Sequence, residues 1–183
     1  MNRRIPLLCG LFSVLIAVPA TADIAPRVLG LDLGVNVPVG KLANSTGMQY
    51  FGLIRYEHTL QPQFALTVRA GYLAGSERDL TVGGVTTKIG IDIKVLWAGL
   101  VYRTTGTAAG VFATAEVGPT WATGHVNGAT ATGAADIKPG GSVGVGWRSG
   151  PLSVRGAVLA LDIGNSADTS GTMLSVGWDF KAL

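Results

Sequence analysis

The chain has 183 residues, the length of one domain with its own core. Charged residues make up 14% of it, against about 25% in ordinary soluble domains, while 48% are hydrophobic. The 14 basic and 11 acidic residues nearly balance and gather into no basic patch, which excludes a nucleic-acid partner.

The first element in chain order is a leader. Arg3 and Arg4 supply a positive start, "IPLLCGLFSVLIAV" an apolar stretch, and Ala20-Thr21-Ala22 a small-residue cleavage site. This pattern predicts a cleavable secretory signal peptide over 1–22 and a single domain over 23–183. The leader also holds Cys9, the chain's one cysteine, so the exported domain has neither a disulfide nor a thiolate metal site. Its loss removes two arginines and leaves 12 basic residues against the same 11 acidic ones.

"LGLDLGVNV" (Leu29 to Val37) opens the domain with strict alternation. Leucines and valines occupy one parity, Gly30, Asp32, Gly34 and Asn36 the other. In a strand these two sets face opposite ways. The same alternation recurs eight times and predicts strands near 28–39, 48–60, 64–76, 89–103, 111–123, 139–148, 152–163 and 171–181, with no helical spacing between them. The joining segments are short at 61–63, 105–110 and 149–151, and mostly longer at 41–48, 77–88, 124–138 and 165–171. Long loops at one end and tight turns at the other, on strands of about ten residues, are the pattern of a transmembrane β-barrel.

Following the apolar parity assigns an outward face to each strand. It takes Tyr50, Ile54, Tyr56 and Leu60, then Phe64, Leu66, Val68 and Tyr72, then Ile91, Ile93, Val95, Trp97 and Val101. Val111, Val117 and Trp121, Val143, Val145 and Trp147, Leu152, Val154 and Val158, and Leu174, Val176, Trp178 and Phe180 complete it. All four tryptophans fall on this face. Tyr50, Tyr72 and Trp121 lie toward the long loops, while Phe64, Trp147, Trp178 and Phe180 lie toward the short turns, as two aromatic girdles. The opposite parity carries Asp32, Arg55, Glu57, Arg69, Asp92, Lys94, Glu116, Arg148, Arg155 and Asp179, five of each sign. These are expected to pair across a lumen, because an unpaired charge away from water is costly. A small change on that inner face, such as Gly34→Ser, is expected to be tolerated. Pro119 forfeits a ladder hydrogen bond and is expected at a bulge or a strand top.

The alternation, the loop asymmetry, the girdles and the last strand "MLSVGWDF" together resemble the small eight-stranded outer-membrane barrels of Gram-negative bacteria, of the OmpA, OmpX and opacity-protein type. The resemblance implies an all-β, up-and-down antiparallel barrel in the outer membrane, with both termini periplasmic. It implies outer-membrane lipid around the barrel, the barrel-assembly machinery as a partner during biogenesis, and a monomeric, porin-like surface protein.

Sites of other kinds are weak. "GGSVG" (Gly140 to Gly144) matches G-x-S-x-G, but it continues into a strand and no histidine follows Ser142. His58 and His125 are the only histidines, too few for a metal site, and neither has a serine beside it. No catalytic, cofactor or metal residues are therefore assigned. In a barrel of eight strands the interior is just wide enough for side chains to fill, so the inward charges are expected to plug it. A small ion or solute channel is the alternative, ahead of a lipid-modifying enzyme or a soluble lipocalin-like barrel. Gly83-Gly84, between two alternating runs, predicts a two-residue hairpin that lifts 79–91 out as a ribbon able to meet a protein partner.

Overall fold

The computed structural model describes residues 26–107, 109–127, 129–130 and 136–180. The signal peptide expected over 1–22 lies outside these, as do residues 181–183. Strand β1 (Arg27–Pro38) is followed by the one-turn helix α1 (Leu42–Ser45), β2 (Gln49–Gln61), β3 (Phe64–Gly75), β4 (Arg78–Val82) and β5 (Val85–Arg103). Next come β6 (Gly110–Val126), the two-residue β7 (Ala129–Thr130), β8 (Asp136–Ser149) and β9 (Leu152–Ala160). A 3-10 turn (Ile163–Asn165) and helix α2 (Ser166–Thr169) lead into β10 (Ser170–Phe180).

Eight of these strands close into a barrel. Each of β1, β2, β3, β5, β6, β8, β9 and β10 pairs antiparallel with its neighbour, and β10 returns to β1 with Leu31 opposite Trp178. Closure satisfies every long edge, which an open sheet of this length would leave exposed. The short connections are Pro62-Gln63, residues 104–109 and Gly150-Pro151, with left-handed Gly106 and Gly150 where the chain reverses. At the other end β4 continues β3 along the same edge of β5: Ile89 pairs Arg78 on that edge and Val126 on the opposite one. The β4–β5 ribbon turns on Gly83 and Gly84, at φ 59° and 81°. Positive φ at both central residues is what a type I′ hairpin turn requires.

The polypeptide is apolar outside. Ile54, Val143, Val145, Val158, Leu174 and Trp178 are all exposed, Val143 by 68%. Inside, the barrel has two storeys. Toward the long-loop end, Phe51, Leu53, Leu73, Ile93, Val95, Trp97, Leu159, Leu161 and Met173 form one buried apolar cluster. Leu42 of α1 drops into it from above. Toward the short turns the interior is charged, apart from a small group of Ala65, Val101 and Phe112.

Strand β5 reverses the expected faces. Ile93, Trp97 and Val101 are 0% exposed and inside, whereas Lys94, Leu96, Leu100 and Tyr102 are exposed on the outer face. Directly opposed residues of an antiparallel pair share a face, and the register with β3 sets Trp97 against Arg69 and Lys94 against Tyr72. Alternation alone could not choose, because Leu96, Ala98, Leu100 and Tyr102 are as apolar as the other parity. Three tryptophans, not four, are on the outside. Pro119 sits within β6 opposite Pro139 without a register shift, although β5 makes no pairing between Val95↔Thr120 and Ala98↔Val117. The expectation for Gly34 also changes. A Cβ there would meet the Phe51 ring at 2.7 Å and the Ser175 Cα at 2.8 Å, so the glycine is what lets Phe51 lie inward.

Candidate functional site

The charged storey is built from every barrel strand. Asp32 comes from β1, Arg55 and Glu57 from β2, Arg69 from β3, Arg103 from β5, Glu116 from β6, Arg148 from β8, Arg155 from β9 and Asp179 from β10. Because parity turns all of these inward toward a narrow axis, residues far apart in sequence become partners.

Glu57, 1% exposed, is the hub. Its carboxylate accepts from Arg148 Nη2 at 2.7 Å and Nη1 at 3.0 Å, from Arg103 Nη2 at 3.1 Å, and from Arg55. Arg55 also donates to Asp179 and lies 3.3 Å from Asp32. Asp32 passes the network on to Arg69 at 3.1 Å, and Arg69 reaches Glu116 at 2.7 Å. Glu116 takes Arg155 at 3.3 Å and the Ser142 hydroxyl at 2.9 Å. Arg155 in turn donates to Ser142 at 2.7 Å and Thr114 at 2.9 Å. The guanidinium of Arg148 also lies 5.3 Å from the centre of the Phe112 ring. Nine charges thus form one connected layer across the lumen. Each buried ion holds its place because its partners are fixed by the strands, and removal of one would leave the others unpaired.

Eight of the ten charges expected inside are in this layer. Asp92 and Lys94 are not: the reversed β5 carries both to the outer surface, at the long-loop end. Asp92 there lies 3.9 Å from His125 Nδ1. Sequence reading missed Arg103, and for the same reason. It is the one charge on the β5 parity that faces inward, and no expectation placed it there. The interior therefore holds five arginines and four carboxylates rather than equal numbers.

The seven aromatic residues assigned to girdles, Tyr50, Phe64, Tyr72, Trp121, Trp147, Trp178 and Phe180, all stand on the outer face, at the two ends of their strands. Tyr102 joins Phe64 at the short-turn end, its ring centre 5.3 Å away.

At the long-loop end the first loop is tied to its neighbours. Lys41 Nζ donates to Asp168 Oδ2 of α2 at 2.9 Å, and Arg78 of the ribbon donates to the Ala43 carbonyl. The hydrogen bond that Lys41 donates to Asp168 raises the Lys41 pKa above the ordinary lysine value. These ties hold α1, and with it Leu42, over the apolar storey.

Ser142 is bound to Glu116 and Arg155 in mid-strand, with no sharp turn to present it to a substrate. His58 and His125 are far apart, on β2 and β6. Among the described residues no three His, Cys, Asp or Glu side chains could hold a metal ion, and no helix is long and apolar enough to cross a membrane. A closed eight-stranded barrel with an apolar exterior and girdled ends needs no such helix.

No protein-family model and no curated protein sequence matches the chain. Solved structures do match. Neisserial surface protein A superposes with a TM-score of 0.57 at 12% identity, covering 86% of this chain and 97% of that one. The fold is that of the small outer-membrane barrels. Ail, the attachment invasion locus protein of Yersinia pestis, matches with a TM-score of 0.53 at 10% identity, covering 85% of this chain and 99% of that one. A second structure of Ail, in complex with the heparin analogue sucrose octasulfate, gives 0.52 at 11% identity, covering 84% and 97%. At these identities the likeness is one of fold.

Proposed function

We propose that the protein is an integral protein of the bacterial outer membrane with a plugged lumen, serving a structural or surface-interaction role and no catalytic one. The observation that carries this reading is the layer of ion pairs around Glu57, to which all eight barrel strands contribute. Above it, the apolar storey and Leu42 close the other half. In this reading the chain ends and short turns face the periplasm, and the ribbon around Gly83-Gly84 stands outside the cell as the surface most available to a protein partner. The likeness to Neisserial surface protein A and to an attachment protein supports a role at the cell surface. The chain works as a monomer, since closure has already satisfied the strand edges.

Purified protein in planar bilayers is expected to show no steady conductance. Stable ion-selective steps would replace the plug with a channel. Orientation is tested separately: protease added to intact cells is expected to cut within 77–88, while a tag inserted at Gln61–Gln63 stays hidden. A tag labelled from outside would reverse the orientation.

A further inference from the structure

The reversal of β5 places two charged residues on the outer surface that alternation had assigned to the lumen, and their surroundings show what they meet. Reading the outward parity of β5 toward the short turns, Lys88, Asp92 and Lys94 come first, then Leu96, Ala98, Leu100 and Tyr102. The face changes from charged to apolar in one step, between Lys94 and Leu96. Across the neighbouring strands Lys94 stands directly opposite Tyr72 on β3 and Trp121 on β6. One row below, Leu96 faces Ala70. Lys94 is thus the first charge above the apolar band, flanked on both sides by girdle aromatics.

Its charge is not taken up by the protein. Asp92, two residues away on that face, lies 3.9 Å from His125 Nδ1, and no carboxylate among the described residues lies within ion-pair distance of Lys94. A lysine at such a depth extends its apolar stem along the barrel and its ammonium toward the polar boundary of the membrane. Aromatic rings of the Tyr and Trp type favour that same boundary. The group a membrane offers there with the complementary charge is a lipid phosphate.

We infer that Lys94, set between Tyr72 and Trp121, is a docking point for the phosphate of a membrane lipid in the leaflet on the long-loop side. The inference rests on the reading that the outer face of the barrel meets lipid. The ammonium donates to the phosphate oxygens, the two aromatic side chains bracket the headgroup, and Leu96 and Leu100 lie along the acyl chain below.

The test uses the refolded chain in dodecyl maltoside micelles, which carry no phosphate, with native mass spectrometry as the readout. Phosphatidylglycerol and a galactosyl diacylglycerol of the same acyl chains are added separately. Phosphatidylglycerol adducts are expected to exceed galactolipid adducts several-fold. Lys94→Gln should bring the two within twofold of each other, and Lys94→Arg should preserve the difference. Barrel formation in each variant is checked by the shift between heated and unheated samples on a gel. Equal retention of the two lipids, or a preference that survives Lys94→Gln, overturns the docking point. A chain that forms no barrel and takes up neither lipid overturns the membrane reading itself, which is a distinguishable result.

Discussion

Inside the barrel, the indole N–H of Trp97 donates to the Thr120 hydroxyl at 3.1 Å. The largest side chain of the interior is thereby satisfied where water does not reach, and it joins β5 to β6 where their ladder is interrupted. Truncation to Trp97→Ala should cost about 3–5 kcal/mol, the usual cost of deleting a buried tryptophan. The measurement is the urea midpoint of the refolded protein in detergent. In variants keeping a single tryptophan, brominated lipids should quench Trp178 strongly and Trp97 hardly at all. Comparable quenching would return β5 to the parity that alternation suggested.

Glu57 serves Arg55, Arg103 and Arg148 together, so its charge matters more than any one arginine. Glu57→Gln should destabilise the barrel by about 3–5 kcal/mol, as breaking a buried pair does. Arg103→Met should be far milder, because it leaves four arginines against four carboxylates. Urea unfolding of the two variants side by side checks this, and an Arg103 variant weaker than the Glu57 one would displace Glu57 as the hub.

On the outer face, Val143 lies halfway along β8 and is 68% exposed. Val143→Arg should cost about 2–4 kcal/mol at the bilayer midplane and lower the folded yield in vesicles. Gly34→Ser is expected to hurt as well, although serine is small, because its Cβ would collide with Phe51 and the β10 backbone. A Gly34→Ser protein that folds in normal yield would mean that Phe51 can move aside.

The clasp between Lys41 and Asp168 has a pH signature. Because the bond raises the Lys41 pKa above 10.5, its contribution is present below that pH and fades as pH rises past it. Cleavage within 41–48 by an added protease should therefore stay constant from pH 7 to 9. Asp168→Asn should raise the cleavage rate across that range, and an unchanged rate would show that the Arg78 tie alone holds the loop.

The eight strands were legible because a strand exposed to different surroundings on its two faces must alternate, and seven of the eight do so with one face plainly polar. Asp32, Arg55 or Glu116 each settle the parity of their strand. In β5 the rule that charge goes inward pointed the wrong way. Asp92 and Lys94 lie beyond the apolar band, where an outward charge costs little, and the face they share is apolar from Leu96 to Tyr102. The decisive signal was at the other end of the strand, in Arg103. The lid was not legible at all. "KLANSTGM" offers Leu42 as one short apolar side chain, and nothing local says that it packs onto residues of β2, β3, β5, β9 and β10.

Arg55 also ties the first strand of the barrel to the last, through Asp32 on β1 and Asp179 on β10. The seam between β1 and β10 thus joins the first and last strands of the barrel. Every other strand can find its neighbour nearby in sequence, but this pairing must close a loop of nearly the whole domain, the slowest kind of contact to form. Until Ser170–Phe180 docks, the edges of β1 and β9 stay open and Arg55 lacks one of its three acidic partners, Asp179. An escort that shields those edges meanwhile would be protecting a barrel whose last seam is still open.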